Sequence, residues 1–291
     1  MTRLSSDAAR TGAPVNGMSV DVEDYFQVQA FASVIDRSTW DSIPRRIEAN
    51  MDRILESFAR AGIHATFFTL GWVAERHPGL IRRIVAEGHE LASHGHGHQL
   101  VHTLTPAEFR DDLLRAKAAL EAAGGVPVIG YRAPTFSIGP GNAWAFDVLE
   151  QTGHRYSSSI YPVKHDLYGV PDAPRFPYRP GPGRLLEIPM TTLPLGGRNM
   201  PIAGGGYFRL MPYALFRTLL RRFHARDHRP SVFYFHPWEI DPAQPRVPGT
   251  TRLSRFRHTV NLGAMARRVD RLLRDFRWDR MDRVFAAELA G

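Results

Sequence analysis

Hydrophobic and polar positions follow two different periods along this chain, and the two periods succeed each other in a regular order. Residues 18–23 alternate apolar and polar side chains, which is typical of a β-strand with one buried face. Apolar residues then recur at helical spacing through residues 47–58, and Gly62 ends that helix. Residues 63–70 are rich in β-branched and aromatic side chains and predict a second, buried strand. Strand, helix and strand in this order indicate a parallel sheet covered by helices.

The same alternation continues along the rest of the chain. Thr105 and Glu108 form a capping box with a proline between them, which marks the start of one helix. Stretches rich in proline or glycine at 162–183, 195–208 and 241–250 are predicted to be loops. About seven strands alternate with helices, so we expect an α/β fold with the order of an α/β barrel. The remaining predicted helices are 78–87, 143–151, 213–223 and 260–276, and the remaining strands are 89–93, 126–131, 156–160, 185–193 and 231–235.

The domain organisation follows from length and from the absence of internal breaks. A chain of 291 residues without repeats or shifts in composition predicts one large domain. We expect a flexible N-terminus at 1–16 and a single domain at 17–291, with a basic C-terminal extension from about residue 241. Residues 1–16 lack the apolar core of a signal peptide, and no stretch of about 18 apolar residues occurs. A cytoplasmic location is therefore expected, with peripheral contact to the inner membrane through basic residues left open.

Composition and charge exclude some chemistry. The chain has no cysteine, so disulfides, thiolate ligands and cysteine nucleophiles are excluded, and any metal must be bound by histidine, aspartate or glutamate. The net charge is +8, which is typical of proteins that meet acidic partners. No recognised nucleic-acid motif accompanies the arginines, so we interpret them as a solvated basic surface and expect no nucleic-acid partner.

Residues 93–98 place three imidazoles in a turn broken by glycines, directly after a short apolar run. Imidazole is a common metal ligand, and two imidazoles four residues apart can converge on one ion. The stretch therefore predicts a metal site. A solvated histidine-rich loop is the alternative that this stretch alone leaves open.

Further chemical groups fall at the predicted ends of other strands. Asp21 and Glu23 share one face of the first strand, and Asp24 follows them. Carboxylates this close repel each other unless a cation or an arginine compensates. Arg132 and His236 each follow a predicted strand. Because the C-terminal ends of barrel strands face one mouth, we expect these residues and the histidines to meet there.

These motifs in this order resemble the NodB-homology polysaccharide deacetylases, which form carbohydrate esterase family four. The resemblance spans roughly residues 18–240. It extends more narrowly to the deacetylases associated with exosortase and exopolysaccharide gene clusters, through residues 21–26, the stretch 204–209 and the basic C-terminal extension. The motifs are Ser-Val-Asp-Val-Glu-Asp at 19–24, Thr-Phe-Phe at 66–68, Ser-His at 93–94 with His98, Tyr-Arg-Ala-Pro at 131–134 and Phe-His-Pro-Trp-Glu at 235–239.

The resemblance implies a distorted barrel of the (β/α)7 type and a divalent metal held by two histidines and one acid. His94 and His98 match the histidine ligands. The acid is Glu23 or Asp24, because a valine stands where many relatives have a second aspartate. Zinc is the expected ion, with cobalt, nickel and manganese as alternatives. His96 is then expected off the site, and His102 at the surface or in a supporting role.

The resemblance also implies roles in hydrolysis. Asp21 is expected to be the general base, Arg132 its charge partner and His236 the general acid. A backbone N–H near the turn at Tyr25 and Phe26 is expected to help stabilise the oxyanion.

Three aromatic residues are candidates for substrate binding. Trp144 and Trp238 offer flat apolar faces that suit sugar rings, although either residue could equally belong to the core. Tyr25 follows the acidic motif directly and is the third candidate.

The expected function is metal-dependent removal of N-acetyl groups from N-acetylhexosamine residues of an exopolysaccharide or its precursor. The expected partners are that polysaccharide or an oligosaccharide of it, and the machinery of exopolysaccharide assembly. Two alternatives remain open from the sequence: an amidohydrolase acting on another small or cyclic amide, and a catalytically silent carbohydrate-binding protein.

Overall fold

A curled sheet of parallel strands forms the centre of the molecule, with helices packed on its outer face. The structure, a computed structural model, describes residues 14–291. Its strands are β1 Val15–Val22, β2 Thr66–Thr69, β3 Glu90–Ser93, β4 Gly130–Tyr131, β5 Tyr156–Ser157, β6 Leu186–Glu187, β7 Thr192–Leu195, β8 Arg198–Pro201, β9 Val232–Phe235 and β10 Arg277–Asp279. Its α-helices are α1 Ile47–Ala61, α2 Gly71–Arg76, α3 Pro78–Ala86, α4 Pro106–Gly124, α5 Trp144–Gln151, α6 Gly205–Leu210, α7 Tyr213–Asp227, α8 Arg252–Thr259, α9 Leu262–Asp275, α10 Met281–Val284 and α11 Ala286–Ala290.

Seven of the strands form the expected barrel. They pair in parallel in the order β9-β1-β2-β3-β4-β5-β6. Within residues 14–291 no strand pairing joins β6 to β9, so the barrel is open on that side. The α/β fold and the distorted seven-stranded barrel predicted from the sequence are confirmed.

Strand β1 also pairs with β10, which the sequence did not predict. Gly17 pairs with Val232 of β9 and with Asp279 of β10. Because a strand has only two edges, β9 and β10 lie on opposite sides of β1. Further along β1, Ser19 pairs with Thr66, so β2 continues the edge that β10 begins. The C-terminal extension is therefore part of the sheet.

Helix α1 shows how the apolar pattern determines packing. Its apolar positions at 47, 51, 54, 55 and 58 are all buried, as their helical spacing predicts. Gly62 ends the helix with a φ of 64°, a left-handed conformation that glycine adopts without steric cost. The capping box at Thr105 and Glu108 is present at the start of α4.

The N-terminal prediction falls largely outside the described residues. Residues 1–13 of the stretch predicted to be flexible are not described, and Val15 and Asn16 belong to β1. Asn16 is buried and connects two neighbouring strands. Its Oδ1 accepts the N–H of Ser231 at 2.9 Å, and its Nδ2 donates to the carbonyl of Arg277 at 2.9 Å.

The element boundaries after residue 185 differ from the prediction. The strand predicted at 185–193 is divided between β6 and β7. The loop predicted at 195–208 is wrong, because it contains β8 and most of α6. The β7–β8 hairpin turns at Gly196 and Gly197, whose φ angles of 58° and 73° suit the tight turn of a two-residue hairpin. No helix within residues 14–291 is long and apolar enough to cross a membrane.

Candidate functional site

The polar residues that follow β1, β3, β4 and β9 meet at one end of the barrel. The first group is a possible metal site made of Glu23, His94 and His98, all buried. Each offers one ligand atom, and these atoms lie within 4.8 Å of one another. Two imidazoles and one carboxylate form a donor set typical of catalytic zinc sites, which keep a further position open.

His94 is held in the orientation that a metal ligand needs. Its Nδ1 lies 2.8 Å from the carbonyl oxygen of Arg132. A carbonyl can only accept, so Nδ1 carries the proton and Nε2 keeps a lone pair for an ion. Burial lowers the pKa of His94 to about 4, which keeps the ring neutral.

Glu23 has an oxygen atom that lacks a hydrogen-bond donor. Its Oε1 accepts the indole N–H of Trp238 at 3.3 Å. Its Oε2 is buried and accepts no hydrogen bond of normal geometry, although His98 Nε2 lies 2.8 Å away. Burial raises the pKa of Glu23, but the neighbouring histidines, His98 above all, outweigh it and lower the pKa to about 2. A buried carboxylate oxygen beside imidazole nitrogens fits a cation, so these residues fit the implied metal.

The turn that carries the histidines is shaped by its backbone. Gly95 has a φ of 75°, and His98 itself has a φ of 53°. The left-handed conformation is unfavourable for a residue with a side chain and is typical of functional sites. Arg37 donates to the carbonyl oxygen of His98 at 2.9 Å, which stabilises this conformation.

Asp24, the alternative acid, faces away from the histidines. Its Oδ1 accepts the N–H of Tyr25 at 2.8 Å, and its Oδ2 accepts the N–H groups of Arg46 and Ile47 at 2.7 and 3.1 Å. Asp24 therefore caps the N-terminus of α1 from a distant part of the chain. Of the two acids that the sequence left open, the structure brings only Glu23 to the histidines.

Asp21 lies beside this group and is paired with a buried arginine. Arg132 Nη1 donates to Asp21 Oδ1 at 2.6 Å and to Ser19 Oγ at 2.9 Å. The remaining guanidinium donors reach Ser158, with Nε 3.1 Å from its carbonyl oxygen and Nη2 3.1 Å from its hydroxyl. Arg132 is fully buried, and a carboxylate balances its charge.

His236 completes the group from the end of β9. Its Nε2 lies 3.9 Å from Asp21 Oδ2 and 3.6 Å from Glu23 Oε1. Its Nδ1 lies 3.1 Å from Glu239 Oε2. Burial lowers the pKa of His236, but the hydrogen bond to Glu239 and the charges of nearby carboxylates outweigh burial and raise the pKa to about 9. The protonated imidazole can therefore donate a proton at neutral pH.

Two family models match consecutive parts of the chain. Residues 37–157 match the family described as polysaccharide deacetylase, and this stretch contains His94, His98 and Arg132. The chain contains a polysaccharide deacetylase domain. Residues 158–286, which include His236, match a domain of unknown function (DUF3473).

Curated relatives of the chain are named deacetylases. The chain is 35% identical over 96 residues to a chitooligosaccharide deacetylase of Bradyrhizobium sp. (strain ANU 289), covering 33% of this chain and 42% of that protein. It is 30% identical over 73 residues to a peptidoglycan-N-acetylglucosamine deacetylase of Bacillus cereus, covering 25% of this chain and 26% of that protein. The chain thus spans less than half the length of these relatives.

Solved structures agree on the fold. A structure assigned to the polysaccharide deacetylases from Mycobacterium smegmatis aligns with a TM-score of 0.58 and 21% identity, covering 96% of this chain and 94% of that one. A structure described as Puue allantoinase aligns with a TM-score of 0.59 and 18% identity, covering 95% and 92%. At these identities the likeness supports the barrel and not a substrate.

Several predicted residues lie outside the group formed by Glu23, His94 and His98. His96 Nε2 lies 2.9 Å from Glu75 Oε1, so its ring points elsewhere, and His102 is exposed. The Tyr25 N–H is bonded to Asp24 and is not available to an oxyanion. The Tyr25 side chain is only 3% exposed, which leaves little surface for a substrate.

The two tryptophans proposed as sugar platforms have different surroundings. Trp238 is buried and stacks against the rings of His236 and His258, with centroids 5.2 and 4.2 Å apart. The prediction that Trp238 is an open platform for a sugar ring is wrong, because the residue is buried and its indole N–H donates to Glu23. Trp144 is partly exposed, packs edge-on against Phe109 and lines a surface cavity of about 350 Å³. A role in substrate binding at Trp144 stays a prediction.

Sequence reasoning placed Ser19 and Glu239 in its motifs without giving them a role, and it missed Ser158. All three orient the predicted residues. Glu239 closes a hydrogen-bonded turn with His236, and its position three residues later is the spacing of a capping box. Ser158 lies in a run of three buried serines at 157–159 that begins with the last residue of β5, and buried polar residues need partners. The capping-box spacing and the run of serines were therefore the sequence patterns that could have indicated Glu239 and Ser158.

Proposed function

We propose that this chain is a zinc-dependent hydrolase that removes N-acetyl groups from N-acetylhexosamine residues of a polysaccharide. The observation that carries the proposal is the buried group of Glu23, His94 and His98 beside the Asp21–Arg132 pair and His236. This arrangement offers a metal site, a base and an acid within one end of the barrel. The names of the curated relatives support the reaction class.

A divalent ion bound by these ligands would polarise the acetyl carbonyl and lower the pKa of an attacking water toward about 7. The protein's own contribution begins with Asp21. Arg132 binds its Oδ1 and fixes the carboxylate, so its Oδ2 is the atom that accepts a proton from the attacking water.

His236 supplies the proton that the departing amine needs. Its Nδ1 is bound by Glu239, so Nε2 is the nitrogen directed toward Asp21 and Glu23. The amine is a poor leaving group unless its nitrogen is protonated as the carbon–nitrogen bond breaks. Transfer of the proton from Nε2 to that nitrogen completes hydrolysis.

Two finer assignments belong to the proposal. Zinc is favoured because two imidazoles and one carboxylate match its usual ligands. An exopolysaccharide or its precursor is favoured as substrate by the resemblance of residues 21–26 and 204–209 to the deacetylases of exopolysaccharide gene clusters. Contact with the assembly machinery follows from that substrate.

Acetate release from N-acetylhexosamine oligomers tests the proposal. The protein is treated with a chelator, supplied again with zinc, and compared with the Asp21→Asn variant. We expect zinc-dependent release by the wild type and a loss of about 10²–10⁴-fold in the variant, which is the usual contribution of a general base.

The metal content of the variant is the control. The Asp21→Asn protein should bind one zinc per chain, as the wild type does, because Asp21 is not a ligand. Near-normal release by the variant would contradict its role as base. Ring opening of a cyclic amide without acetate release from any oligomer would favour an amidohydrolase, and failure to bind zinc would favour a carbohydrate-binding protein.

A further inference from the structure

The stretch Gly204–Arg209, which we call the glycine–arginine segment, is not used by the chemistry proposed above. It reads Gly-Gly-Gly-Tyr-Phe-Arg and begins directly before α6. Three consecutive glycines at the start of a helix are unfavourable for helix stability, since glycine loses the most backbone entropy. The segment therefore needs another explanation, and its contacts provide one.

Arg209 is 1% exposed, and its guanidinium donates hydrogen bonds both to a carboxylate and to backbone carbonyls. Its Nε donates to Glu239 Oε1 at 2.8 Å. Its Nη1 donates to the carbonyls of His258 and Val260 at 3.1 and 2.7 Å, and its Nη2 to the carbonyl of Arg257 at 3.0 Å. The planar guanidinium thus connects Glu239 to the C-terminal end of α8.

Glu239 shares its two oxygens between Arg209 and His236. While Oε1 binds Arg209, Oε2 accepts the backbone N–H of His236 at 2.9 Å and lies 3.1 Å from its Nδ1. Glu239 is 1% exposed, so its charge depends on these partners. The position of the imidazole therefore depends on a carboxylate that Arg209 orients.

The glycines provide the space for this carboxylate. A Cβ built on Gly205 would lie 1.9 Å from Glu239 Oε2, and one built on Gly204 would lie 2.6 Å from the ring of Tyr234. Gly204 also has a φ of 87°, which favours glycine. Any side chain at position 205 would displace the carboxylate from His236.

We propose that Arg209 is a positioning residue for the general acid: it fixes Glu239, and Glu239 holds Nδ1 so that His236 Nε2 faces the departing amine. The glycines of the glycine–arginine segment leave space for the Glu239 carboxylate, and its arginine binds that carboxylate. The inference rests on the proposed function, because it assigns the segment to one step of that reaction.

The leaving group of the substrate provides the test. An amine leaves only with a proton, whereas 4-nitrophenolate leaves from 4-nitrophenyl acetate without one. In the Arg209→Met variant we expect kcat for an N-acetylhexosamine oligomer to fall by about 10²-fold, the lower end of general-acid contributions, at an unchanged KM. Hydrolysis of the aryl ester should stay unchanged, and Arg209→Lys should recover much of the oligomer activity because its ammonium can still pair with Glu239.

Arg268 is the matched control. Its Nη1 donates to the carbonyls of Phe208, Arg209 and Met211 at 3.0, 2.7 and 3.2 Å, so it also binds α6 to the C-terminal extension. Unlike the bonds of Arg209, these three bonds reach neither Glu239 nor His236. Arg268→Met should keep the wild-type ratio of oligomer to ester turnover. If Arg209→Met does not fold, Arg209→Met with Glu239→Gln removes the unpaired buried charge, and the same selective loss is expected.

A readout without turnover separates this inference from the proposed function. In chelated protein, the His236 ring signals in an NMR spectrum are assigned by their loss in His236→Gln. They should shift in Arg209→Met and stay in place in Arg268→Met. Equal loss of oligomer and ester turnover with unshifted His236 signals would overturn the inference. Absence of oligomer turnover in the wild type would overturn the proposed function, and the NMR comparison would still decide the role of Arg209.

Discussion

At the scale of single residues, two adjacent acids have opposite tasks. Glu23 has one oxygen free beside His98, whereas both oxygens of Asp24 are occupied by backbone N–H groups. Their side chains point apart because the chain turns directly after β1. The same chemical group therefore lies in the possible metal site at one position and caps a helix at the next.

Substituting the two acids separately should divide these tasks. Glu23→Gln should lose zinc while keeping most of its stability, because it removes the charge that the ion needs. Asp24→Asn should keep one zinc per chain. Its free energy of unfolding should fall by about 1–2 kcal/mol, since it loses an acceptor for the first N–H groups of α1. Metal stoichiometry and urea unfolding check both results. Loss of zinc in Asp24→Asn alone would reverse the ligand assignment.

A second residue-scale consequence concerns pH. Burial raises the pKa of Glu187 from 4.5 to about 7, while its Oε1 accepts the N–H groups of Ser159 and Ile160. The folded chain therefore keeps this proton longer than the unfolded chain does. The contribution of this proton to the free energy of unfolding is fully present below about pH 4.5 and is lost as the pH rises through 7.

Glu187→Gln should remove this dependence, because glutamine keeps the carbonyl acceptor and does not ionise. We expect the free energy of unfolding of the variant, measured relative to the wild type, to rise by about 1–3 kcal/mol as the pH goes from 5 to 8. Urea unfolding of both proteins at the two pH values measures the gain. An equal difference at both pH values would show that Glu187 titrates normally in the folded chain.

At the scale of elements, α10 closes the end of the barrel opposite the site. Met281 is fully buried, its N–H donates to Thr66 Oγ1 at 2.8 Å, and its sulfur lies 4.0 Å from Arg132 Nη2. A Cβ on Gly17 would lie 3.2 Å from the Met281 side chain. This short helix therefore packs directly beneath β1 and the buried arginine.

Met281→Ala should destabilise the protein by about 2–5 kcal/mol, the usual cost of a large cavity in a core. Thermal and urea unfolding measure the loss. Leu253→Ala is the control, since Leu253 is 56% exposed and its truncation should change stability little. A cost at position 281 no greater than at position 253 would show that α10 is not part of the core.

At the scale of the whole molecule, the two family matches meet at residues 157 and 158 without dividing the structure. Strand β5 ends at Ser157 and pairs with β6, and β9 pairs with β1 across the same boundary. Both matched regions therefore contribute to one sheet. The proposed catalytic group likewise includes His236 from the second region, and its other residues come from the part before it.

Truncation should show this dependence. A chain ending at residue 245 keeps every proposed catalytic residue but lacks β10, α10 and the helix end that Arg209 binds. We expect it to lose cooperative unfolding and the near-ultraviolet signals of packed aromatic residues. A truncated chain that melts as sharply as the full one would make residues 246–291 a separate unit.

The site was more predictable from the sequence than the element boundaries were. The sequence predicted that Asp21, His94, His98, Arg132 and His236 would lie together, because strand ends in a parallel barrel share one mouth, and the structure brings them together. The choice between Glu23 and Asp24 needed coordinates, since it depends on where β1 ends. The distant cap on α1 by Asp24 leaves no local pattern, because its partners are 22 and 23 residues away.

The C-terminal contributions were missed for a related reason. Strand β10 has only three residues, which is too short to show a periodic pattern. The burial of Trp238 depends on His258 from α8, so a residue that suggested an open aromatic face became an internal support. Sequence patterns report neighbours along the chain, and these contacts join segments that are far apart.

The pairing of β1 with β10 has a consequence for synthesis on the ribosome. The Asn16 side chain emerges early, but its partner carbonyl on Arg277 follows 261 positions later. Until then residues 15–17 of β1 expose unpaired backbone groups on that edge, and such edges favour pairing with other chains. The native sheet can form only after residues 277–279 have left the ribosome, so nascent chains of this protein should depend on chaperones that shield strand edges.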